Sequence, residues 1–364
     1  MEMNATIAVA KPASHRWTIV LPLIAWVVFI IGHFIYWTPF LILSAAALIA
    51  SVLSAVHHAE VIAHRIGEPF GALVLALAVT VIEVSLIVSL MFAGGHDTTV
   101  LARDTVFAAV MIILNGMVGL CILIGAIKFK KQSFSLQGIS SALTVLVAIS
   151  VLTLILPNYT TSIPGPFYNK EQLIFVAIVT LILYVAFLFV QNIWHKPDFV
   201  SADEVYDKEE KPSVREAVIS GGMLMVCLGA VVMLAESLAP ALESWIESIG
   251  APISLAGVII ATVILLPEGF SAIRSAKNNQ LQKSFNLSLG SALASIGLTI
   301  PTVALVSILT GMPLTLGIGV ESTVLFLLSL LVIILSLSTS KTTILHGIVL
   351  LVLFSVYLFT IIFP

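Results

Sequence analysis

Eleven apolar stretches, each long enough to cross a bilayer, follow one another between Trp17 and Phe363. About 20 residues of helix span the hydrocarbon core. Runs at 17–35, 37–56, 70–92, 104–127, 138–156, 172–191, 216–239, 252–273, 285–310, 319–338 and 343–363 meet that length. A chain so patterned folds as a helical membrane bundle, because backbone polar groups facing lipid must be satisfied within their own segment. The composition, 59% apolar and 10% charged, excludes a soluble enzyme. The expected fold class is an all-α polytopic membrane protein with eleven transmembrane helices. The first two are divided only by the Tyr36-Trp37-Thr38-Pro39 turn.

Lys and Arg accumulate in cytoplasmic loops. With eleven spans, fourteen of the 16 basic residues fall on the N-terminal side, leaving Arg103 and Lys170 opposite. The N-terminus is expected in the cytoplasm and the C-terminus outside. Met1 to Arg16 is polar and weakly basic and reads as no removable signal peptide. The expected location is a prokaryotic plasma membrane. Cys121 and Cys227 both sit inside apolar runs, which points to core packing and not to a disulfide or a thiolate metal site.

Against this background two carboxylates stand out. Glu83 lies in Ala78-Val79-Thr80-Val81-Ile82-Glu83-Val84-Ser85, and Glu268 in Val263-Ile264-Leu265-Leu266-Pro267-Glu268-Gly269-Phe270-Ser271. A charged group at membrane depth is costly unless it faces the bundle interior, is protonated or meets a cation. Two such acids in similar apolar settings point to one site built twice, and a protonated structural acid is the plainer reading of either alone. Pro267 and Gly269 flank Glu268 where a helix break would expose backbone carbonyls.

Other polar groups are placed around these two. Thr80 precedes Glu83 by one turn on the same face. Asn115 can present an amide oxygen to a cation or hydrogen-bond across helices, with Gly116 and Gly119 allowing close approach. Ser284, Ser288, Ser291, Ser295 and Thr299 form a hydroxyl stripe at helical spacing, either packing a neighbour or lining an aqueous path. Glu236, Glu243 and Glu247 share a face toward the outer end of the seventh span, as an access path or a solvated helix end. Between spans two and three, His57, Glu60 and His64 share a face. Without a fourth ligand for a closed zinc site, the stretch from His57 to Glu68 reads as an amphipathic cytoplasmic entrance, with Glu60 and Glu68 attracting cations.

The organisation repeats. An N-terminal segment and extra helix (1–36) precede five helices (37–191), an acidic cytoplasmic linker (192–215) and five more helices (216–364). Each half carries its glutamate in its second helix and a small or polar stripe in its third. Five is odd, so the halves run oppositely through the membrane, and inverted repeats are a recurring architecture of secondary transporters. The linker has six acids from Asp198 to Glu210 but lacks the spacing of an EF-hand loop.

At these residues the chain resembles the cation/proton exchangers of the cation/calcium antiporter superfamily, most closely the ChaA-type calcium/proton antiporters. The resemblance covers nearly the whole chain. It is most specific at Gly67-Glu68-Pro69 leading to Glu83, and at Leu266-Pro267-Glu268-Gly269 leading through Lys277-Asn278-Asn279 to Gly290-Ser291-Ala292 and Pro301. It implies that Glu83 and Glu268 are the repeat glutamates that bind calcium and protons in turn. It also places Asn115 and Ser291 at equivalent polar positions of the two repeats. Many relatives carry a Gly-Asn pair ending three residues before each glutamate, whereas this chain has Val79-Thr80 and Ile264-Leu265.

The expected activity is alternating-access exchange of Ca²⁺ for H⁺. Glu83 and Glu268 would hold the metal with backbone carbonyls near Val79 and Ile264 and oxygens of Thr80, Asn115 or Ser291, since calcium takes about six to eight oxygen ligands. Ser288, Ser295, Glu60, Glu236 and Glu243 would line the access path. No resident cofactor is expected, calcium being cargo, and the partners are Ca²⁺, H⁺ and the bilayer, with no nucleic acid. A sodium or potassium/proton antiporter is the alternative on the same scaffold. A cation channel ranks below it. No set of residues for intramembrane catalysis is present, the Asp residues lying in loops or at span ends.

Overall fold

The computed structural model describes residues 16–32, 38–67, 70–93, 98–199 and 211–363. Ten helices are long and apolar enough to cross a membrane among the described residues. Ahead of them lies α1 (Arg16–Gly32), apolar over its 17 described residues and covering the described part of the first span expected at 17–35. Residues 33–35 of that span, Glu68, Pro69 and the linker acids from Asp203 to Glu210 lie outside the described residues.

The spans are α2 (Thr38–Ile66), α3 (Phe70–Ala93), the rod formed by α4 (Thr98–Met111), a π-turn (Ile112–Met117) and α5 (Val118–Phe129), then α6 (Leu136–Ser150) and α7 (Lys170–Phe189). A short α8 (Lys196–Phe199) leads toward the second half. There follow α9 (Val214–Ser248), α10 (Ser254–Lys277), the rod of α11 (Leu281–Ala294), a second π-turn (Ser295–Thr299) and α12 (Ile300–Thr310), then α13 (Val320–Leu337) and α14 (Ile344–Ile362). Side chains fix several starts. Asn169 with Gln172 and Ser213 with Glu216 form reciprocal capping boxes at the heads of α7 and α9.

Two helices run further than the apolar pattern indicates. Helix α2 continues through His57 to Ile66, so this stretch is helix within the bundle and not a separate amphipathic entrance. Its polar residues are accommodated by neighbours. His58 is buried, with Nδ1 at 3.2 Å from the Ser220 hydroxyl of α9 and Nε2 at 3.2 Å from the Thr18 carbonyl of α1. Helix α9 runs for 35 residues and passes through Pro240 to Ser248. Helix α1 is clamped onto this pair, the Trp26 indole N–H donating to the Val226 carbonyl at 3.1 Å.

Small residues set the crossings, as expected where van der Waals contact drives helix association. A Cβ on Gly257 would come within 2.8 Å of the Asp104 carbonyl carbon, so α10 lies directly on the backbone of α4. At the opposite end of the bundle, a Cβ on Gly347 of α14 would meet the Leu123 nitrogen at 2.7 Å and the Gly119 oxygen at 2.9 Å. Cys121 and Cys227 are free and buried in the packing, as their apolar surroundings indicate.

Helix α10 passes unbroken through Pro267 and Gly269. The break expected there does not occur. A proline inside a helix removes only its own N–H donor, which leaves the Val263 carbonyl without its usual partner while neighbouring packing holds the rod. Irregular backbone lies instead in the two rods packed against the glutamate helices, whose π-turns are the first and second named above, while α6 and α7 also end in π-turns (Val151–Ile155 and Val190–Trp194). Helix α10 contacts α4, the first π-turn and α5, while α3 contacts α11, the second π-turn and α12.

Candidate functional site

Helix α3 carries Glu83 into the bundle, where it is 1% exposed. Its neighbours Ile82 and Leu86 are buried against α2, α9 and α10, which fixes the face the carboxylate shares. Facing it across the bundle, α10 brings in Glu268 between the buried residues Leu265 and Ala272. The two carboxylates lie within electrostatic reach of each other, and Glu60 of α2 lies within reach of Glu268 as well. The acids of α3 and α10 are therefore brought together, with Glu60 of α2 near the second.

The hydrogen bonding is incomplete in an informative way. Ser295 Oγ, in the second π-turn, donates to Glu83 Oε2 at 2.9 Å. Thr299, one turn on, also faces that carboxylate, although its buried hydroxyl has no partner at bonding geometry. Glu268 Oε2 is buried and has no hydrogen-bond partner among the described residues. Buried polar atoms are nearly always paired, and unpaired carboxylate, hydroxyl and amide oxygens in one interior are groups that a bound cation, proton or water would satisfy. π-Turns occur frequently at functional sites. Here one of them supplies the serine that reaches Glu83.

The other expected ligands divide. Thr80 is 6% exposed and donates back to the Ala76 carbonyl at 2.9 Å, so it stands beside Glu83 with its proton already used. Asn115 is fully buried in the first π-turn and its amide nitrogen donates to Ser329 Oγ of α13 at 3.0 Å. That nitrogen makes the interhelical bond, while Oδ1 remains unpartnered. Ser291 is half-buried and takes no hydrogen bond among the described residues, so the serine on the acid is Ser295 and not Ser291. Ser288 donates to the Ser284 carbonyl and to Met117 Sδ, tying α11 to the first π-turn. Of the acids at the far end of α9, Glu236 is exposed. Glu243 lines a cavity together with Asp104. Among the described residues no three His, Cys, Asp or Glu side chains form a metal-holding group, and His57, Glu60 and His64 are not one.

Removing the Ser295 hydroxyl tests the one explicit bond in the site. A hydrogen bond to a charged group contributes about 1.5–3 kcal/mol. Ser295→Ala should therefore lower exchange by about tenfold or more with the fold retained, and Ser295→Thr should keep most of it. Transport in vesicles beside a thermal melt of the purified variant checks both.

The whole chain can be set beside known proteins. The family model described as sodium/calcium exchanger protein matches residues 36–192 and 219–363. The candidate ionic transporter y4hA of Sinorhizobium fredii is 44% identical over 322 residues, covering 87% of each chain. The sodium-potassium/proton antiporter ChaA of Escherichia coli is 36% identical over 325 residues, covering 88% of each. Among solved structures, native YfkE, a Ca²⁺/H⁺ antiporter, superimposes with a TM-score of 0.75 at 17% identity, covering 95% of this chain and 100% of that one. That last likeness is one of fold.

Proposed function

Since the chain belongs to the sodium/calcium exchanger protein family, we propose that it is a secondary transporter exchanging a cation for protons by alternating access at Glu83 and Glu268. The observation that carries this reading is the convergence of two interior glutamates from α3 and α10, one held by Ser295 and the other with an unpartnered oxygen. Two carboxylates can hold one dication or two protons. Ca²⁺ is the cargo that such a pair fits, and a one-calcium cycle against two protons would be electroneutral. The remaining calcium ligands would come from Thr299, the freed carbonyl before Pro267 and water.

Sodium or potassium exchange for protons is the second reading. It is favoured by the 36% identity to a sodium-potassium/proton antiporter. The proposed arrangement is α1 plus two inverted repeats of five spans (37–191 and 216–364) joined by the linker 192–215. It is supported by the reciprocal packing of each glutamate helix on the other half's π-containing rod. The N-terminus lies in the cytoplasm of a prokaryotic cell and the C-terminus outside, as the placing of Lys and Arg indicates.

The test is cation-driven proton release from sealed vesicles with Ca²⁺, Na⁺ and K⁺ in turn. Calcium-dependent release that sodium and potassium do not reproduce supports the first reading, and the reverse the second. Cation flux that a pH gradient neither drives nor follows would overturn both in favour of a channel.

A further inference from the structure

Asp104 enters no part of the mechanism above, yet it is buried near the start of α4, 9% exposed. Arg103 Nε donates to its Oδ1 at 2.7 Å, and Arg103 Nη1 donates to the Gly317 carbonyl at 3.0 Å. The carboxylate stands in the wall between two cavities. The first lies among α3, α4, α9 and α10 and is lined by Leu90, Leu101, Glu243 and Ile260 besides Asp104. Leu90 is seven residues beyond Glu83 on α3 and Ile260 eight residues before Glu268 on α10. At 1.5 Å per residue this cavity ends roughly 10–12 Å from the paired glutamates, along the two helices that carry them.

The second cavity, of about 130 Å³, lies on the other side of Asp104 and is polar. Arg103, Ser254, Ser322 and Tyr357 line it. Tyr357 is 2% exposed, and its hydroxyl makes no hydrogen bond to any described residue. A phenol hydroxyl with no protein partner that opens on a polar cavity is placed to meet water there.

We propose that Asp104 is the relay carboxylate at the outer mouth of the transport path, taking up protons and cations through the polar cavity and passing them to the Glu243 side toward Glu83 and Glu268. The proposal rests on the exchange reading above and on its orientation. For the proton, one O–H bond forms as hydronium in the polar cavity protonates Asp104. That bond breaks when the proton passes to water on the Glu243 side and the carboxylate is restored. Arg103 balances the charge between events while staying fixed to Gly317. The charged and titratable groups facing Asp104 are Arg103 of α4, Glu243 of α9 and Tyr357 of α14. At this level α3 and α10 present apolar and hydroxyl side chains only.

The experiment compares right-side-out and inverted vesicles carrying wild type, Asp104→Asn, Asp104→Glu and Tyr357→Phe, titrating proton and cation from each side. An acid-lined cleft raises arrival rates about 10- to 1000-fold. Asp104→Asn should therefore raise the outer-side half-saturation by about tenfold or more and leave the inner-side value unchanged, with Asp104→Glu restoring it. Equal loss from both sides, no loss, or no rescue by Glu overturns the relay and leaves Asp104 a partner of Arg103 only. Should Asp104→Asn not yield folded protein, Tyr357→Phe carries the same side-specific expectation. Failure of wild type to exchange would sink the exchange reading. Exchange in wild type with Asp104→Asn unaltered sinks this proposal alone.

Discussion

Glu83→Gln and Glu268→Gln should each remove exchange, lowering the initial rate by at least about 30-fold. Truncating one member of a buried charged set costs on the order of 2–5 kcal/mol, and each 1.4 kcal/mol is a factor of ten. Glutamine keeps the size and a carbonyl oxygen but can neither release a proton nor neutralise a cation. The two variants should differ in folding. Glu83 accepts a bond from Ser295 that glutamine can still accept, whereas Glu268 Oε2 has no partner, so glutamine there exchanges an unpartnered carboxylate for an uncharged amide that is less costly to bury. Glu268→Gln should therefore melt at or above the wild-type temperature while being inactive, and Glu83→Gln close to it. Paired transport and melting measurements check this. If either variant still exchanges at more than a tenth of the wild-type rate, its glutamate is a structural acid and the site has been misplaced.

Those two glutamates were legible because the signal is local: a carboxylate inside an apolar run needs no knowledge of its neighbours to be conspicuous. The hydroxyl stripe of α11 was legible as a stripe, but not the member that meets the acid. Helical spacing assumes 3.6 residues per turn, and the π-turn at Ser295–Thr299 changes which side chain faces α3. The same limit applies to Pro267, where sequence marks a break and tertiary packing keeps α10 continuous. Asp104 gave no signal, because beside Arg103 and near a span end it looks like an interfacial pair. Its burial comes from Gly257 of α10 and the carbonyl of Gly317, residues more than 150 positions away. The length of α2 was hidden likewise, since a histidine that looks like a helix end is housed by Ser220 and Thr18.

In the exchange proposed above, protons and cation would compete for the same oxygens, which fixes both the sign and the steepness of the expected pH dependence. Binding the cation expels whatever protons the carboxyls carry, so apparent cation affinity is lost as pH falls and gained as it rises. If Glu83 and Glu268 both give up a proton to one Ca²⁺, affinity should change by up to about 100-fold per pH unit where both are protonated. Exchange of one Na⁺ or K⁺ for one proton limits the change to about tenfold. The half-saturating concentration of each cation, measured across several pH values in vesicles, gives this slope directly. Glu83→Gln and Glu268→Gln, in a binding assay that needs no turnover, should each cut the calcium slope by one proton. A slope above one for calcium that falls by one in both variants ties two protons to these two side chains. A slope unchanged by the substitutions would place the competing protons elsewhere in the bundle, with Glu60 the first residue to examine because it lies within electrostatic reach of Glu268.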